Sequence, residues 1–273
     1  MKFRDKTVVI TGGSSGIGLA VAHEMLKQGA KVFLIARDRN RLATAAEELN
    51  RQYAGAFIKT YQADVSDKEA VRNAMKAIGD GYSIDVLINS AGIIRCGRFE
   101  DIGLDSLEEV CRTNYLGALN STMAALPYLK ASRGHIAFIS SVAGYMGLIG
   151  HTAYAPTKFA VTGLAEALRM ELKDYAIRVS VIFPPDADTP MLEYERSHTL
   201  PESLSLSQRA KLVSAGLVAE KLVKGMEKGR FEIFCNAESR LLRAGKILFP
   251  RLYFRYLDHI VSTDRKKRLK TAK

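Results

Sequence analysis

No stretch of this 273-residue chain approaches the ~18–20 consecutive apolar residues that a membrane-spanning helix needs. The first residues, MKFRDKTVVITGG, run from charge straight into a strand-like segment with no apolar leader. Neither a bilayer span nor export is expected. Cysteine is scarce: Cys96, Cys111 and Cys235 are odd in number, far apart and at no metal-ligand spacing. That argues against a disulfide framework and a bound metal, and for free thiols in a reducing, cytoplasmic compartment. There is no internal repeat or low-complexity linker to divide the chain, and its length suffices for one large core. Net positive charge is also scarce outside one region. Of the formal +11, a net +9 lies between Arg240 and Lys273, where eleven Lys and Arg face only Asp258 and Asp264. A nucleic-acid-binding surface would be expected to spread such charge over the fold, so nucleic acid is not an expected partner.

What is present is alternation. TVVIT (7–11), KVFLIA (31–36), AFIKTYQ (56–62), IDVLIN (84–89), HIAFIS (135–140), RVSVIF (178–183) and RFEIFC (230–235) are short, rich in Val, Ile and Phe, and predict strands. Amphipathic stretches such as 17–28, 39–51, 68–78 and 155–173 predict helices between them. Continuous apolar strands separated by helices imply an α/β fold: a single, doubly wound parallel sheet with helices on both faces. The polar, weakly patterned stretch 192–215 predicts a mobile substrate lid, with a plain surface helix pair as the alternative.

TGGSSGIG (11–18) follows the first strand and opens a helix. Gly12, Gly16 and Gly18 allow a tight turn and close approach to a pyrophosphate. The helix start supplies N–H donors and partial positive charge. Ser14, Ser15 and Ile17 belong to the same turn. Where an acid closing the second strand would bind a ribose 2′-hydroxyl, this chain has Ala36, then Arg37 and, four residues on, Arg41. Two guanidinium groups there suit a 2′-phosphate, so NADPH is expected over NADH. Asp38 would cap the helix that follows. Asp64, with Val65, closes the third strand; Asp64 suits either an adenine amino group or a helix cap.

YAPTK places Tyr154 and Lys158 at i and i+4 on one helical face, with Pro156 harmless in the first turn. A phenol with a pKa of about 10 needs help to exchange protons near neutrality, and a nearby ammonium favours its phenolate. Ser141, at the end of the HIAFISS strand, can hydrogen-bond a carbonyl oxygen. Ser140 is its neighbour, but adjacent strand residues face opposite sides, so only one should enter the site.

TGGSSGIG, NSAG (89–92), Asn114, Ser141, Tyr154 and Lys158, in this order and spacing over about residues 5–235, resemble the short-chain dehydrogenase/reductase family. The resemblance implies a Rossmann-type seven-stranded parallel sheet and hydride transfer to or from a carbonyl. It implies Tyr154 as general acid/base and Ser141 holding the carbonyl oxygen. It implies Lys158 binding the nicotinamide ribose and lowering the tyrosine pKa, and Asn114 holding a water. Asn89, Ala91 and Gly92 would contact the cofactor, as would Pro184, Ala187 and Thr189 after the sixth strand. A homodimer or homotetramer through the Tyr154 helix is implied as well.

The segment FPPDADTPML departs from the family's usual Pro-Gly: Pro185 replaces the flexible glycine. With RFEDI (98–102) and GLAEALRMELK (163–173), it resembles one subgroup, the 3-ketodihydrosphingosine reductases. That resemblance implies a long-chain keto-lipid substrate with an ammonium beside the ketone, which Asp186 or Asp188 would complement. Both aspartates capping the lid helix is the alternative. Two rival functions stay open on the residues: an NADPH-dependent reductase of a 3-oxoacyl thioester or steroid-like ketone, and a non-catalytic NADPH-binding adaptor. The expected division is a catalytic domain over 1–239, with a lid at about 190–215, and a basic amphipathic extension over 240–273. In that extension Leu241, Leu242, Leu248, Phe249, Leu252, Tyr253, Tyr256 and Ile260 fall roughly on one helical side, while Arg240, Arg243, Arg251 and Arg255 fall largely opposite. With RKKRLK (265–270), this predicts peripheral contact with an anionic membrane surface. A subunit-contact helix with a solvated tail is the alternative.

Overall fold

The computed structural model describes the backbone of residues 2–207 and 211–271, and the side chains of 2–204 and 211–263. The chain runs β1 (Thr7–Thr11), α1 (Gly16–Lys27), β2 (Lys31–Ala36), α2 (Arg39–Gln52), β3 (Ile58–Gln62), α3 (Lys68–Gly79), β4 (Val86–Asn89), α4 (Leu104–Cys111), α5 (Gly117–Ser132), β5 (His135–Ile139), α6 (Ala155–Glu171) and β6 (Arg178–Phe183). There follow β7 (Ala187–Asp188), α7 (Pro190–His198), α8 (Pro201–Ser207), β8 (Val213–Ser214), α9 (Ala215–Glu227), β9 (Glu232–Phe234), α10 (Ala237–Leu248) and α11 (Pro250–Thr271). Among the described residues, no helix is long and apolar enough to cross a membrane.

Seven strands form one parallel sheet in the order β3-β2-β1-β4-β5-β6-β9. The strands read as unbroken apolar runs because both faces are covered. Successive side chains alternate. Val8 and Ile10, with Val32 and Leu34, pack beneath α1, α2 and α9 beside Met25, Leu49 and Leu222. Val9, with Phe33 and Ile35, packs on the other face beside Met75, Ile78 and Leu129 of α3 and α5. Each fully buried side chain of this kind contributes roughly 1.5–3 kcal/mol relative to exposure.

Strand order reverses between β1 and β4, the place where such sheets open a crevice at their carboxyl ends. Thr11 holds that mouth. Its hydroxyl donates to the Ile88 carbonyl at 3.4 Å and accepts from the Ser90 and Ala91 N–H groups at 3.3 and 3.4 Å.

The segment after β6 is more ordered than its polar composition suggests. The Pro184 carbonyl accepts from Val142 N–H at 2.9 Å. Ala187–Asp188 then pairs with Val213–Ser214 as a separate two-stranded sheet, so both ends of the 190–212 excursion are clasped together. Two helices, α7 and α8, fill that excursion. Gln208–Ala210 of the expected lid lie outside the described residues. Thr189 is the N-cap of α7, accepting from Leu192 N–H, and Pro190 stands first in the helix, where a missing N–H is harmless. Neither aspartate caps α7, contrary to the alternative reading of that segment.

The basic extension is docked on the body. Asn236 caps α10 by accepting from Ser239 N–H at 2.8 Å. Tyr145 donates to the Ser239 carbonyl at 2.7 Å, and Lys246 donates to the Tyr145 carbonyl at 2.6 Å. Arg243, expected on an outer basic face, instead pairs with Glu232 and stacks over Phe183 at 5.2 Å. The chain breaks helix at Phe249, and Pro250 starts α11. The expected single apolar side therefore divides. Tyr253 and Ile260 are buried inward, while Leu241, Leu248, Phe249 and Leu252 are exposed. The side chains of the basic run at 265–270 lie outside the described residues.

Candidate active site

One cavity of about 470 Å³ opens at the carboxyl ends of β1 and β4. Its first wall is the TGGSSGIG turn. Gly12 has φ +69°, and a Cβ there would stand 2.7 Å from the Ala91 backbone. A Cβ on Gly18 would stand 2.3 Å from the Gly12 carbonyl oxygen. Only glycine lets strand, turn and helix close this tightly and leave bare backbone facing the cavity. Ser15 is the N-cap of α1, yet its hydroxyl makes no capping bond, so the helix start presents N–H groups and a free hydroxyl. Ser14, Gly16 and Ile17 complete this wall.

Arg37 and Arg41 border the same cavity at the end of β2, beside Asp64 and Val65. Asp38 accepts from the N–H groups of Asn40 and Arg41, so it caps α2 as expected. Asp64 caps no helix; Asp67 caps α3. Asp64 closes a local turn by accepting from Ser66 N–H and Oγ at 2.8 and 2.7 Å, and it lies 4.0 Å from the Arg37 guanidinium. An exposed pair at that distance contributes little stability.

The second wall carries proton chemistry. Ser141 lies beside Tyr154, where its hydroxyl favours the phenolate, and its Oγ accepts from Ala143 N–H at 3.0 Å. Ser140, on the opposite face of the chain, is bonded to the Lys158 carbonyl and Thr162 Oγ1 at 3.1 and 3.0 Å. Pleat geometry thus leaves Ser141 as the serine available to a ligand. Lys158 is buried and donates from Nζ to the Ile139 carbonyl at 2.9 Å, with Nζ 5.4 Å from the Tyr154 ring centre. Burial pushes the Lys158 pKa down to about 8. Tyr154 behaves otherwise than the expected lowering by Lys158. Burial, with the carboxylate of Glu195 adding to it, holds its pKa above the ordinary value, although the Ser141 hydroxyl acts in the opposite direction. The phenol is therefore a proton donor at neutral pH.

Two expected residues do not face the cavity. Asn114 sits on a π-helical turn, Arg112–Leu116, between α4 and α5. Its side chain accepts from Ile93 N–H at 2.8 Å and donates to the Ile93 carbonyl and Thr157 Oγ1 at 2.9 and 3.1 Å. These contacts use the side-chain amide to position the loop after β4 against α6. Asn89 turns toward α5 and donates to Thr122 Oγ1 at 3.1 Å. Ala91 and Gly92 do line the cavity, as do Pro184, Ala187 and Thr189.

Three features were not singled out in the sequence. First, His151 is buried and bonded through Nε2 to Glu195 of α7 at 2.8 Å, with Nδ1 3.1 Å from the Ile149 carbonyl. Glu195 and the Ile149 carbonyl are both acceptors, and Ser203 Oγ lies 3.4 Å from Nδ1, so the surroundings favour the protonated ring. Burial opposes that charge, but the Glu195 carboxylate and the Ile149 carbonyl outweigh it and raise the pKa. Second, Glu195 lines the cavity beside Asp186, one of the two aspartates expected near the substrate, and both raise the Tyr154 pKa, whereas Asp188 is exposed and off the wall. Third, the far wall is apolar and comes from the C-terminal helices: Leu242, Tyr256, Leu257 and Ile260. A histidine three positions before Tyr154 was a local hint, but nothing local joins residue 195 or 242 to this site. Arg98 of the RFEDI stretch reaches Glu202 of α8 at 3.0 Å, tying that excursion to the body.

A family model described as short chain dehydrogenase matches residues 6–200. The chain belongs to the short-chain dehydrogenase family. As a member it is an oxidoreductase. Its relatives include a Danio rerio 3-dehydrosphinganine reductase, 37% identical over 252 residues, which cover 89% of this chain and 75% of that protein. A Dictyostelium discoideum 3-ketodihydrosphingosine reductase is 33% identical over 282 residues, covering 96% of this chain and 84% of that one. The fold is similar to that of a short-chain dehydrogenase from Sphingobium yanoikuyae in complex with NADPH, with a TM-score of 0.74, 26% identity, and coverage of 85% of this chain and 88% of that one. Among the described residues no group of three or more His, Cys, Asp or Glu is arranged to hold a metal ion.

Proposed function

We propose that this chain uses NADPH to reduce 3-ketodihydrosphingosine, a long-chain ketone with an ammonium on the adjacent carbon, to sphinganine. The observation that carries the reading is a single cavity joining a dinucleotide turn, a protonated Tyr154, two carboxylates and an apolar wall. The relatives from fish and slime mould bear names for that activity.

The glycine cradle and the start of α1 fit a pyrophosphate, and Arg37 and Arg41 fit a 2′-phosphate at its adenosine end. Bound there, NADPH supplies the hydride. Tyr154 gives its phenolic proton to the carbonyl oxygen. Ser141, one lone pair already taken by Ala143 N–H, keeps a proton to donate to the same oxygen. Lys158 as ammonium favours the phenolate that remains, and is placed to meet the ribose. Ala91, Gly92, Pro184, Ala187 and Thr189 border the nicotinamide end, while Asn114 and Asn89 act from behind it as positioning residues. Glu195 and Asp186 attract the substrate ammonium, with His151 holding Glu195 in place. The decisive experiment is NADPH oxidation with 3-ketodihydrosphingosine, an acetoacetyl thioester and a steroid ketone side by side. The amino ketone should turn over fastest; a faster thioester or steroid would overturn the substrate assignment.

We further infer that α7 and α8 form the lid, and that the body over 1–239 works with the 240–273 extension at a cytoplasmic membrane surface. Ile247, Leu248, Phe249 and Leu252 are 60–67% exposed on the outer side of that extension. Flotation with anionic vesicles, weakening as salt rises, tests this. A homodimer or homotetramer is the expected assembly, with Met123 of α5 and Met170 of α6 exposed at 63% and 66%. Mass in solution tests it.

A further inference from the structure

Resting on that reading, the cavity raises a problem of space. Its 470 Å³ are bounded by the dinucleotide turn on one side and the proton donors on another, so it must hold the cofactor and the reacting head together. A long hydrocarbon chain then has to leave it. The cavity wall it meets is Leu242 of α10 with Tyr256 of α11.

Beyond that wall lies a second space, a groove of about 530 Å³ between α10 and α11. Glu238, Leu242 and Tyr256 border both spaces, so the groove continues the cavity. Apart from Glu238 at the junction, its lining is hydrocarbon and aromatic: Leu241, Phe249 and Leu252 at the rim and buried Tyr253 as the floor. The break at Phe249 and Pro250 splays the two helices and makes the groove. Arg243 and Lys246, which would spoil an apolar channel, are turned away to Glu232 and the Tyr145 carbonyl.

We propose that the groove between α10 and α11 binds the hydrocarbon chain of the ketone substrate, which passes over Leu242 and Tyr256 from the catalytic cavity. The C-terminal helices are thus a chain-length-selecting part of the substrate site as well as a surface feature. Preference should rise with each methylene that enters the groove.

Gly245 gives a clean test. It stands on the groove wall within α10, and a Cβ added there meets nothing within 4 Å. Gly245→Trp therefore sets a bulky side chain on the groove wall from a Cβ position with open space around it, and replacing a helical glycine does not weaken the helix. Wild type and variant are compared, with NADPH, on short- and long-chain 2-amino-3-ketones delivered as cyclodextrin complexes, without vesicles. The variant should lose about tenfold in kcat/KM on the long chain, the value of about two methylenes leaving an apolar site. The short chain should be unchanged. A second readout is displacement of a fluorescent long-chain fatty amine, which needs no turnover. It should weaken about tenfold in Gly245→Trp, and in Leu252→Asp, whose position is 64% exposed and tolerant of charge. If no ketone is reduced but the amine binds wild type and leaves the variants, the head-group reading fails and the groove stands. Equal losses on both chain lengths, or unchanged amine binding in both variants, would overturn the groove.

Discussion

The two sides of the cavity are built on different principles. On the proposed cofactor side the pyrophosphate cradle is backbone: the Gly12–Gly18 turn, the start of α1 and the loop after β4, all held within the first 92 residues by parallel pairing of β1 with β2 and β4. The substrate side is side chains drawn from distant places: His151 before α6, Asp186 after β6, Glu195 in α7, Leu242 in α10 and Tyr256 in α11. A backbone cradle must recur wherever a pyrophosphate is held, because few conformations present bare N–H groups to it. A side-chain wall can be rebuilt for each substrate. The contrast teaches where the chain's chemistry is shared and where its specificity resides.

Tyr154, where the two sides meet, should give the largest effect. Tyr154→Phe removes the proton donor and should lower turnover of every ketone by about 10²–10⁴-fold. NADPH binding by fluorescence titration should stay close to wild type. A variant retaining most of its turnover would show that another acid delivers the proton. Next come the guanidinium groups. Arg37→Ala with Arg41→Ala should weaken NADPH by about 10²–10⁴-fold relative to NADH, because each of the two charge-assisted bonds to a phosphate contributes about 1.5–3 kcal/mol. This loss should be the same for all substrates. Equal weakening of the two cofactors would remove the 2′-phosphate from this wall.

Glu195→Gln acts chiefly on the other side, although it also removes a charge that raises the Tyr154 pKa. It should raise KM for the amino ketone by about tenfold, one exposed-to-buried charge contact's worth, and leave the matching ketone without an amino group unchanged. Loss on both would mean that the Glu195–His151 bond holds the lid rather than reading the ammonium.

The smallest effect at neutral pH belongs to the floor that both sides share. His135 in β5 is buried with Nε2 2.8 Å from Ser180 Oγ, and burial, with Arg178 adding, holds its pKa down to about 3. The unfolded histidine, near 6.5, takes up a proton that the folded one refuses. His135 therefore leaves stability untouched above about pH 6.5 and reduces it by about 1.4 kcal/mol per unit as pH falls from there toward 3. Thermal midpoints across that window should fall more gently for His135→Asn than for wild type, and both sides of the cavity should fail together. A parallel fall in the two proteins would assign acid sensitivity elsewhere.

The same contrast governed what could be read from the chain itself. All seven sheet strands and the glycine turn were legible because their signals are local: apolar runs, spacing and residues that only a turn tolerates. The pairing of Tyr154 with Lys158 is local too, one helical turn apart. Ser141 could be placed because strand side chains alternate. The stretch 192–215 reads as weakly patterned because α7 and α8 are short, and α7 starts at Thr189 and Pro190 within a segment whose prolines and aspartates look like loop. Asn89 and Asn114 carried the right residue types, but side-chain direction is set by Thr122, Ile93 and Thr157, which spacing does not reveal. His151–Glu195 and the α10–α11 wall are products of tertiary packing, as is the inward turn of Arg243. An amphipathic pattern shows that a helix has an apolar side, but it cannot say which part of that side is buried.

The pairing of Ala187–Asp188 with Val213–Ser214 has a consequence for how such a protein can change. Because the clasp brings both ends of the excursion together, what lies between them is a loop closed at a fixed gate. The entropy of closing it grows only with the logarithm of its length, about 0.6 kcal/mol for each doubling. The stretch between residues 190 and 212 can lengthen, shorten or exchange its helices while the seven-stranded sheet and the cofactor cradle register little of it. Selection for a new ketone can thus work on a part of the chain whose length bears only weakly on the stability of the sheet.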